Sequence, residues 1–324
     1  MARVLSGIQP TGDLHLGNYV GAIRRWAVEQ QPEHFYCVVD LHALTVDYDP
    51  AELRLATREL ATWLMAAGLD PTTVTLFVQS QVREHSELAW ILQCVATYGE
   101  LHRMVQFKEK GQGRQSVPAA LLTYPVLQAA DILLYHADEV PIGADQRQHL
   151  ELARTVAARF NQRFGEVMTE PTPTFPEVGA RVMDLQQPER KMSKSLPAAG
   201  GLFLGEDENA TAKKVQRAVT DSGTEVRRGD DKPGVTNLLE LLSAVTGSDI
   251  ADLEQRYAGA GYGAVKRDVA EAVNAFLRPV RERHAELAAD PGAVEAALRD
   301  GAERAREVAA ATMERVRDAV GLLP

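Results

Sequence analysis

Apolar positions near the start of the chain switch from a strand-like to a helix-like period and back, and that alternation predicts the fold. Arg3-Val4-Leu5-Ser6 reads as a short strand ending at Gly7, and the turn-rich Pro10-Thr11-Gly12-Asp13 leads into a helical pattern from Gly17 to about Glu29. His34 to Asp40, with Phe35, Tyr36, Val38 and Val39, is a second β-rich run, and Val74 to Val78 a third. Between them, Asp49-Pro50-Ala51-Glu52 supplies a cap, a proline at the first helical position and an acid in the first turn. Leu53, Leu60, Leu64 and Ala67 mark one face of that helix, and Gly68 stops it. Strand, crossover helix and strand in this order predict an α/β, Rossmann-like parallel sheet.

From Glu84 to Tyr135 the pattern is mostly helical. Glu139 to Ile142 is a short extended piece before Gly143 and a helix running to about Phe164. Pro171, Pro173 and Pro176 make Glu170 to Gly179 a connector. Beyond Leu202 the periodicity is helical throughout, with apolar spacing at Leu238, Leu241, Leu242 and Val245 and at Val269, Val273, Phe276 and Val280. Pro291 to Val320 reads as one or two long amphipathic helices. The expected organisation is a Rossmann-like domain over 1–190 with a helical insertion at about 105–175, a loop at 191–200, and a smaller all-helical domain over 201–324.

Composition narrows the class. Hydrophobic residues at 45% and charged residues at 25% are ordinary globular usage. No apolar run approaches 18 residues and Met1 to Gly7 lacks the apolar segment of a signal peptide, so a cytoplasmic protein with no membrane partner is expected. Cys37 and Cys94 stand far apart with no CxxC or HExxH spacing, so no protein metal site or disulfide framework is expected. A net charge of -10 is the wrong global sign for coating nucleic acid, DNA included, so a polyanionic partner must meet a local basic patch. One candidate lies between Thr211 and Arg228, where Lys213, Lys214, Arg217, Arg227 and Arg228 outnumber Asp221 and Glu225. The string Gly259, Gly261, Ala264 follows no strand, which rejects a dinucleotide fingerprint, and no Walker-type loop occurs.

Two motifs carry chemistry. The first strand opens into Gly7 to Asn18, a glycine-bearing turn that delivers a helix start beside a sheet. Unpaired amides and the positive end of the helix dipole there suit the phosphates of a nucleotide, although an ordinary capped turn has the same spelling. Gly17 permits close approach, and His15 and Asn18 can donate to phosphate oxygens. About 175 residues on, Lys191-Met192-Ser193-Lys194-Ser195 places two lysines three apart in a loop of an acidic chain. Paired ammonium groups can neutralise charge that grows on a departing pyrophosphate.

With these motifs the chain resembles the bacterial-type tryptophanyl-tRNA synthetases of class I over nearly its full length. His15-Leu16-Gly17-Asn18 corresponds to the first class I signature and Lys191 to Ser195 to the second. Ser6 to Gly12, Leu122 to Pro125, Ala129 to Leu133 and Gly143 to Gln146 are more specific to the family. The resemblance implies ATP and Mg²⁺, L-tryptophan and its tRNA as partners, and a homodimer. It places Gln9, Pro10, Thr11, His15, Gly17 and Asn18 around ATP, Gly143, Ala144 and Asp145 at the ribose, and Val182 near adenine. Lys191, Met192, Ser193, Lys194 and Ser195 form the signature loop, with Lys191, Lys194, Gln9 and Asn18 as the catalytic set, and looser matches add Lys110 and Arg181 at the phosphates. Asp131 accepts the indole N–H, with Tyr124, His42 and Gln146 around the substrate; read without the resemblance, Asp131 is a helix-surface acid and His42 a structural histidine. Gln128, where methionine is frequent, and Leu5, where an aromatic is frequent, depart from the pattern around the indole. The helical domain is expected to read the anticodon, with Lys213, Lys214 and Arg217 on that surface. The alternatives are a tyrosine-specific ligase of the same fold and a non-charging regulatory paralogue.

Overall fold

Among the described residues five parallel strands form one sheet in the order β3-β2-β1-β4-β5. They are β1 Val4–Ile8, β2 His34–Val38, β3 Thr75–Val78, β4 Glu139–Pro141 and β5 Thr172–Thr174. The computed structural model describes residues 2–111, 116–143, 146–175, 182–193 and 197–323, without the side chains of 109–111. Neighbouring β1 and β2 pair in register from Val4↔His34 to Ile8↔Val38. The order reverses between β1 and β4, which opens a crevice at their carboxyl ends.

Strand side chains alternate between two cores. Tyr36, Val38, Leu76 and Val78 join one, whereas Phe35, Cys37, Val39 and Phe77 join the other. The first face is covered by α1 Leu16–Asn18, α2 Arg24–Glu29 and α4 Pro50–Ala66. The short α3, Asp40–Ala43, follows β2 directly. Asp49 caps α4 by accepting from the amides of Ala51 and Glu52 at 2.8 and 3.0 Å, as its spelling predicts. Covering the second face are α5 Glu84–Gln93, α8 Ala119–Leu134 and α9 Arg147–Phe164; α6 Tyr98–His102 and α7 Val105–Gly111 link α5 to α8. After α10 Glu208–Gln216, the helices α11 Pro233–Thr246, α12 Ile250–Arg256 and α13 Tyr262–Ala288 extend the first core.

Of four local features, the first two differ from the sequence reading and the last two fall within it. The proline-rich connector contains β5, because Pro173 occupies an edge strand where a missing N–H faces no neighbour. The helix after the first turn carries a π-helical stretch, Tyr19–Ile23, between α1 and α2. The glycine string at Gly259 and Gly261 is a turn between α12 and α13, with φ of 78° and 70°. The last segment is one helix, α14 Pro291–Val320, and it leaves the other C-terminal helices. Its Val294 and Leu298 sit in the first core, whereas Ala302, Ala305, Ala309, Met313 and Val316 sit in the second, so it crosses the β3 edge. Gly301 marks the crossing, since a Cβ there would lie 1.8 Å from the carbonyl oxygen of Leu76.

Candidate active site

The turn after β1 is organised around His15 and Asn18. Nδ1 of His15 accepts from the Asn18 amide at 3.2 Å, and Oδ1 of Asn18 accepts from the His15 amide at 3.2 Å. This reciprocal cap fixes the helix start with both side chains turned inward. A Cβ at Gly17 would lie 3.0 Å from His15 Nδ1, so glycine leaves room for the capping ring, and Val182 of the segment bearing the second motif packs within van der Waals reach of the same point, at 3.6 Å. Segment 202–204 ties in beside it: the Leu16 amide donates to the Leu202 carbonyl at 2.7 Å and the Leu204 amide to the Leu14 carbonyl at 2.9 Å.

Lys191 belongs to a hairpin. The Met192 amide donates to the Val182 carbonyl at 3.0 Å and the Asp184 amide to the Arg190 carbonyl at 2.8 Å, while Oδ1 of Asp184 accepts from Gln186 and Gln187 amides inside the turn. Asn237 on α11 holds it from outside: its Oδ1 accepts from the Met183 amide at 3.1 Å and its Nδ2 donates to the Met183 carbonyl at 3.0 Å, imitating a strand neighbour. Met192 is buried, and Lys191 is exposed.

At the strand-order reversal lies a cavity of about 580 Å³, lined by Leu5, Ser6, Gly7 and Gln9 from β1 and its turn, Val140 to Ile142 from β4, and His42, Tyr124, Asp131 and Gln146. Asp131, 3% exposed, ends three donor contacts: Oδ1 accepts from Gln79 Nε2 at 2.7 Å and His85 Nδ1 at 2.6 Å, and Oδ2 from His42 Nε2 at 2.8 Å. Burial pushes its pKa up, yet the hydrogen bonds from His42 and His85 outweigh this and hold the carboxyl well below the usual range. Two carboxylate oxygens offer about four acceptor directions, so one remains on Oδ2 for a donor in the cavity. Gln79 is spent at both ends, its Oε1 accepting from the Leu41 amide at 3.1 Å. Tyr124 hydroxyl meets Gln106 at 3.0 Å and His149 at 2.8 Å, and burial pushes its pKa up to about 12. Among the described residues none partners the buried Ser6 Oγ on the cavity wall.

The structure thus brings Gln9, His42, Tyr124, Asp131 and Gln146 to one cavity, with Gln128 donating to Gln146 Oε1 at 3.3 Å. Buried Pro10 leads from the cavity wall into the turn of Thr11, His15, Gly17 and Asn18, against which Val182 packs; Gly143 follows β4, and Ser193 follows Met192 in the hairpin. Ala144, Asp145, Arg181, Lys194, Ser195 and the side chain of Lys110 lie outside the described residues. Sequence reasoning passed over Gln79, His85, Tyr135 and Gln106; the available signal was a polar residue directly after an apolar strand and an aromatic four residues beyond Asp131. Part of the basic stretch is neutralised by nearby acids: Lys214 pairs with Glu206, Arg227 with Glu225 and Asp231, and Arg228 with Glu240.

Comparison with known proteins agrees with this geometry. A family model described as tRNA synthetases class I (W and Y) matches residues 1–278. The chain is 54% identical to "Tryptophan--tRNA ligase 1" of Streptomyces coelicolor, covering 100% of this chain and 98% of that one. A tryptophanyl-tRNA synthetase from Mycoplasma pneumoniae superposes with a TM-score of 0.88 at 36% identity, over 100% and 98% of the two chains. The Campylobacter jejuni enzyme complexed with ADP and tryptophan gives 0.87 at 34%, over 99% and 100%.

Proposed function

The chain belongs to the class I tRNA synthetases for tryptophan and tyrosine, and from that premise we propose how its site joins L-tryptophan to tRNA. The protein is an aminoacyl-tRNA ligase. ATP activates the carboxylate of L-tryptophan to tryptophanyl-adenylate with loss of pyrophosphate, and the adenylate then esterifies the 3′ end of the tRNA.

One observation carries the choice of amino acid: a buried carboxylate with three protein donors and one acceptor direction left, facing a cavity walled by Leu5, Val140 and Ile142. An indole buries its ring there and satisfies that direction with its N–H. A phenyl ring fills the same space and leaves the acceptor bare, which costs about 1–3 kcal/mol or more for a charged group. Tyr124, His42 and Gln146 stand around the bound amino acid.

The Leu16 and Asn18 amides, expected from the sequence to be open to phosphate, are spent on the Leu202 carbonyl and on His15, so ATP lies over the turn from Gln9 to Asn18 with its phosphates beside Gly17, its ribose by Gly143 to Asp145 and its adenine against Val182. Lys191 and Lys194 neutralise the leaving pyrophosphate, and Lys110 and Arg181 add to the phosphate contacts. The turn offers amides and hydroxyls rather than a carboxylate cage, and among the described residues no three His, Cys, Asp or Glu side chains gather as metal ligands. Mg²⁺ bound together with ATP would supply neutralisation of the phosphate charge and would need no dedicated protein cage. The helices of 201–290 face the anticodon, with Lys213 and Arg217 on that surface. A homodimer is supported by Trp90, Tyr98 and Val105, which expose large apolar surface along α5 to α7. Among the described residues no helix is long and apolar enough to cross a membrane, and we place the protein in the cytoplasm.

Amino-acid-dependent exchange of pyrophosphate into ATP tests the reading. L-tryptophan is expected to exceed L-tyrosine and L-phenylalanine by about 10⁴-fold in kcat/KM. Equal or better exchange with L-tyrosine overturns the tryptophan assignment, and exchange without charging of tRNA overturns the ligase assignment.

A further inference from the structure

We infer that His85, braced by Tyr135, is the positioning residue that reserves one Asp131 lone pair for the ring N–H of the substrate and so sets selectivity for tryptophan. The inference rests on the tryptophan reading above and adds a residue to it.

Three donors reach Asp131 from three elements: Gln79 from the end of β3, His42 from α3 and His85 from α5. His42 lines the cavity and faces substrate directly. His85 does not line it and is 0% exposed, so its influence passes through Asp131. It is also held on its far side, with Nε2 2.7 Å from the Tyr135 hydroxyl. A neutral ring satisfies both contacts, Nδ1–H donating to Asp131 and Nε2 accepting from the Tyr135 O–H.

Asp131 and Tyr135 are one helical turn apart at the end of α8, so the imidazole is a strut between two side chains on one face. Tyr135 is itself fixed, stacked on Phe35 with ring centroids 4.8 Å apart and edge-on to Phe77 at 5.5 Å. The strut therefore fixes the rotation of the carboxylate plane. With Oδ1 held by His85 and Gln79, Oδ2 is the oxygen left with capacity for the cavity. Without His85, Oδ1 loses its shortest contact, the plane is free to turn, and the open acceptor no longer points at one place.

A side chain that merely fills space would lower activity on every substrate alike, whereas a positioning residue acts only on substrates that carry the ring N–H. The test is pyrophosphate exchange with L-tryptophan and with β-(benzothiophen-3-yl)alanine, in which sulfur replaces that N–H. In the wild-type enzyme the kcat/KM ratio is expected to favour tryptophan by roughly 10- to 100-fold, the size of one charge-assisted hydrogen bond. His85→Leu is expected to bring the ratio to within about threefold of unity, through a higher KM for tryptophan and little change for the analogue. His85→Asn, whose amide places a donor where Nδ1 stood, is expected to restore most of the ratio, and Tyr135→Phe to lower it about threefold. An active wild type with an unchanged ratio in His85→Leu overturns this inference alone; if that variant does not fold, an unchanged ratio in Tyr135→Phe overturns it equally. A wild type with no tryptophan-dependent exchange overturns the parent reading instead.

Discussion

The two ends of the active site are built on opposite principles. Around Asp131 the side chains that hold the carboxylate are themselves satisfied before substrate arrives: Gln79 is used at both ends, His85 at both nitrogens, and the partners come from separate elements locked in one core. At the second motif the main chain is tied down by Val182, Arg190 and Asn237 and the Met192 side chain is buried, while the Lys191 side chain is left in solvent. Recognition of a ring needs a preformed, dry acceptor. Neutralising charge that appears only as pyrophosphate departs needs long side chains on a short, anchored arm. The difference also sets where damage appears: a lesion in the knot is felt in folding as well as catalysis, and one in the arm in catalysis alone.

Asp131→Ala should have the largest effect, since it leaves three buried donors facing a void. It is expected to cost about 3–5 kcal/mol in urea unfolding, as breaking a buried charged network does, and to reduce tryptophan kcat/KM by about 10³-fold or more. Acid titration reads the same group. The folded carboxyl pKa lies below its unfolded value of about 3.9, so its stabilisation is fully present above that pH and is lost as pH falls towards the folded value. Wild type should therefore lose stability relative to the variant only below about pH 4; a difference that persists unchanged at lower pH would show that the carboxylate charge is not what the donors hold.

Lys191→Ala separates the two ends. It is expected to lower kcat for exchange by about 10²-fold, with unfolding free energy unchanged within about 0.5 kcal/mol and KM for tryptophan unaltered. A shift in the urea midpoint of more than that would mean the lysine supports the fold. Asn237→Leu should have the smallest effect. Two backbone groups of Met183 lose their partner, for about 1–3 kcal/mol of local stability. Faster amide exchange in 182–192 and a several-fold fall in kcat are expected, with the ratio of tryptophan to its benzothienyl analogue constant. A changed ratio would couple the arm to the knot and erase the contrast.

Sequence alone was informative wherever one local rule dominated. The first three strands were legible because each is an apolar-rich run bounded by glycine, proline or a charged turn, the fourth as a short extended piece before Gly143, and α4 because its cap and stop are both spelled out. The fifth strand was hidden by Pro173, whose effect on a ladder depends on whether the strand is at an edge, and a linear chain does not reveal that. Asp131 was found through resemblance; the residues that hold it were not, because His85 and Gln79 look like surface positions until the fold closes over them. The basic stretch shows the converse. Counting lysines and arginines along the chain overlooks Glu206 and Glu240, which fold back onto it.

The route of the last helix has a consequence for synthesis. By passing over the β3 edge at Gly301, α14 covers the flank of a sheet whose strands lie within the first 174 residues. During translation those strands leave the ribosome long before their cover exists, exposing an edge and the apolar side chains of Phe77 and Leu88 beneath it. Completion of the catalytic half waits on α14, so a message broken before codon 301 yields a sticky product rather than a smaller working enzyme.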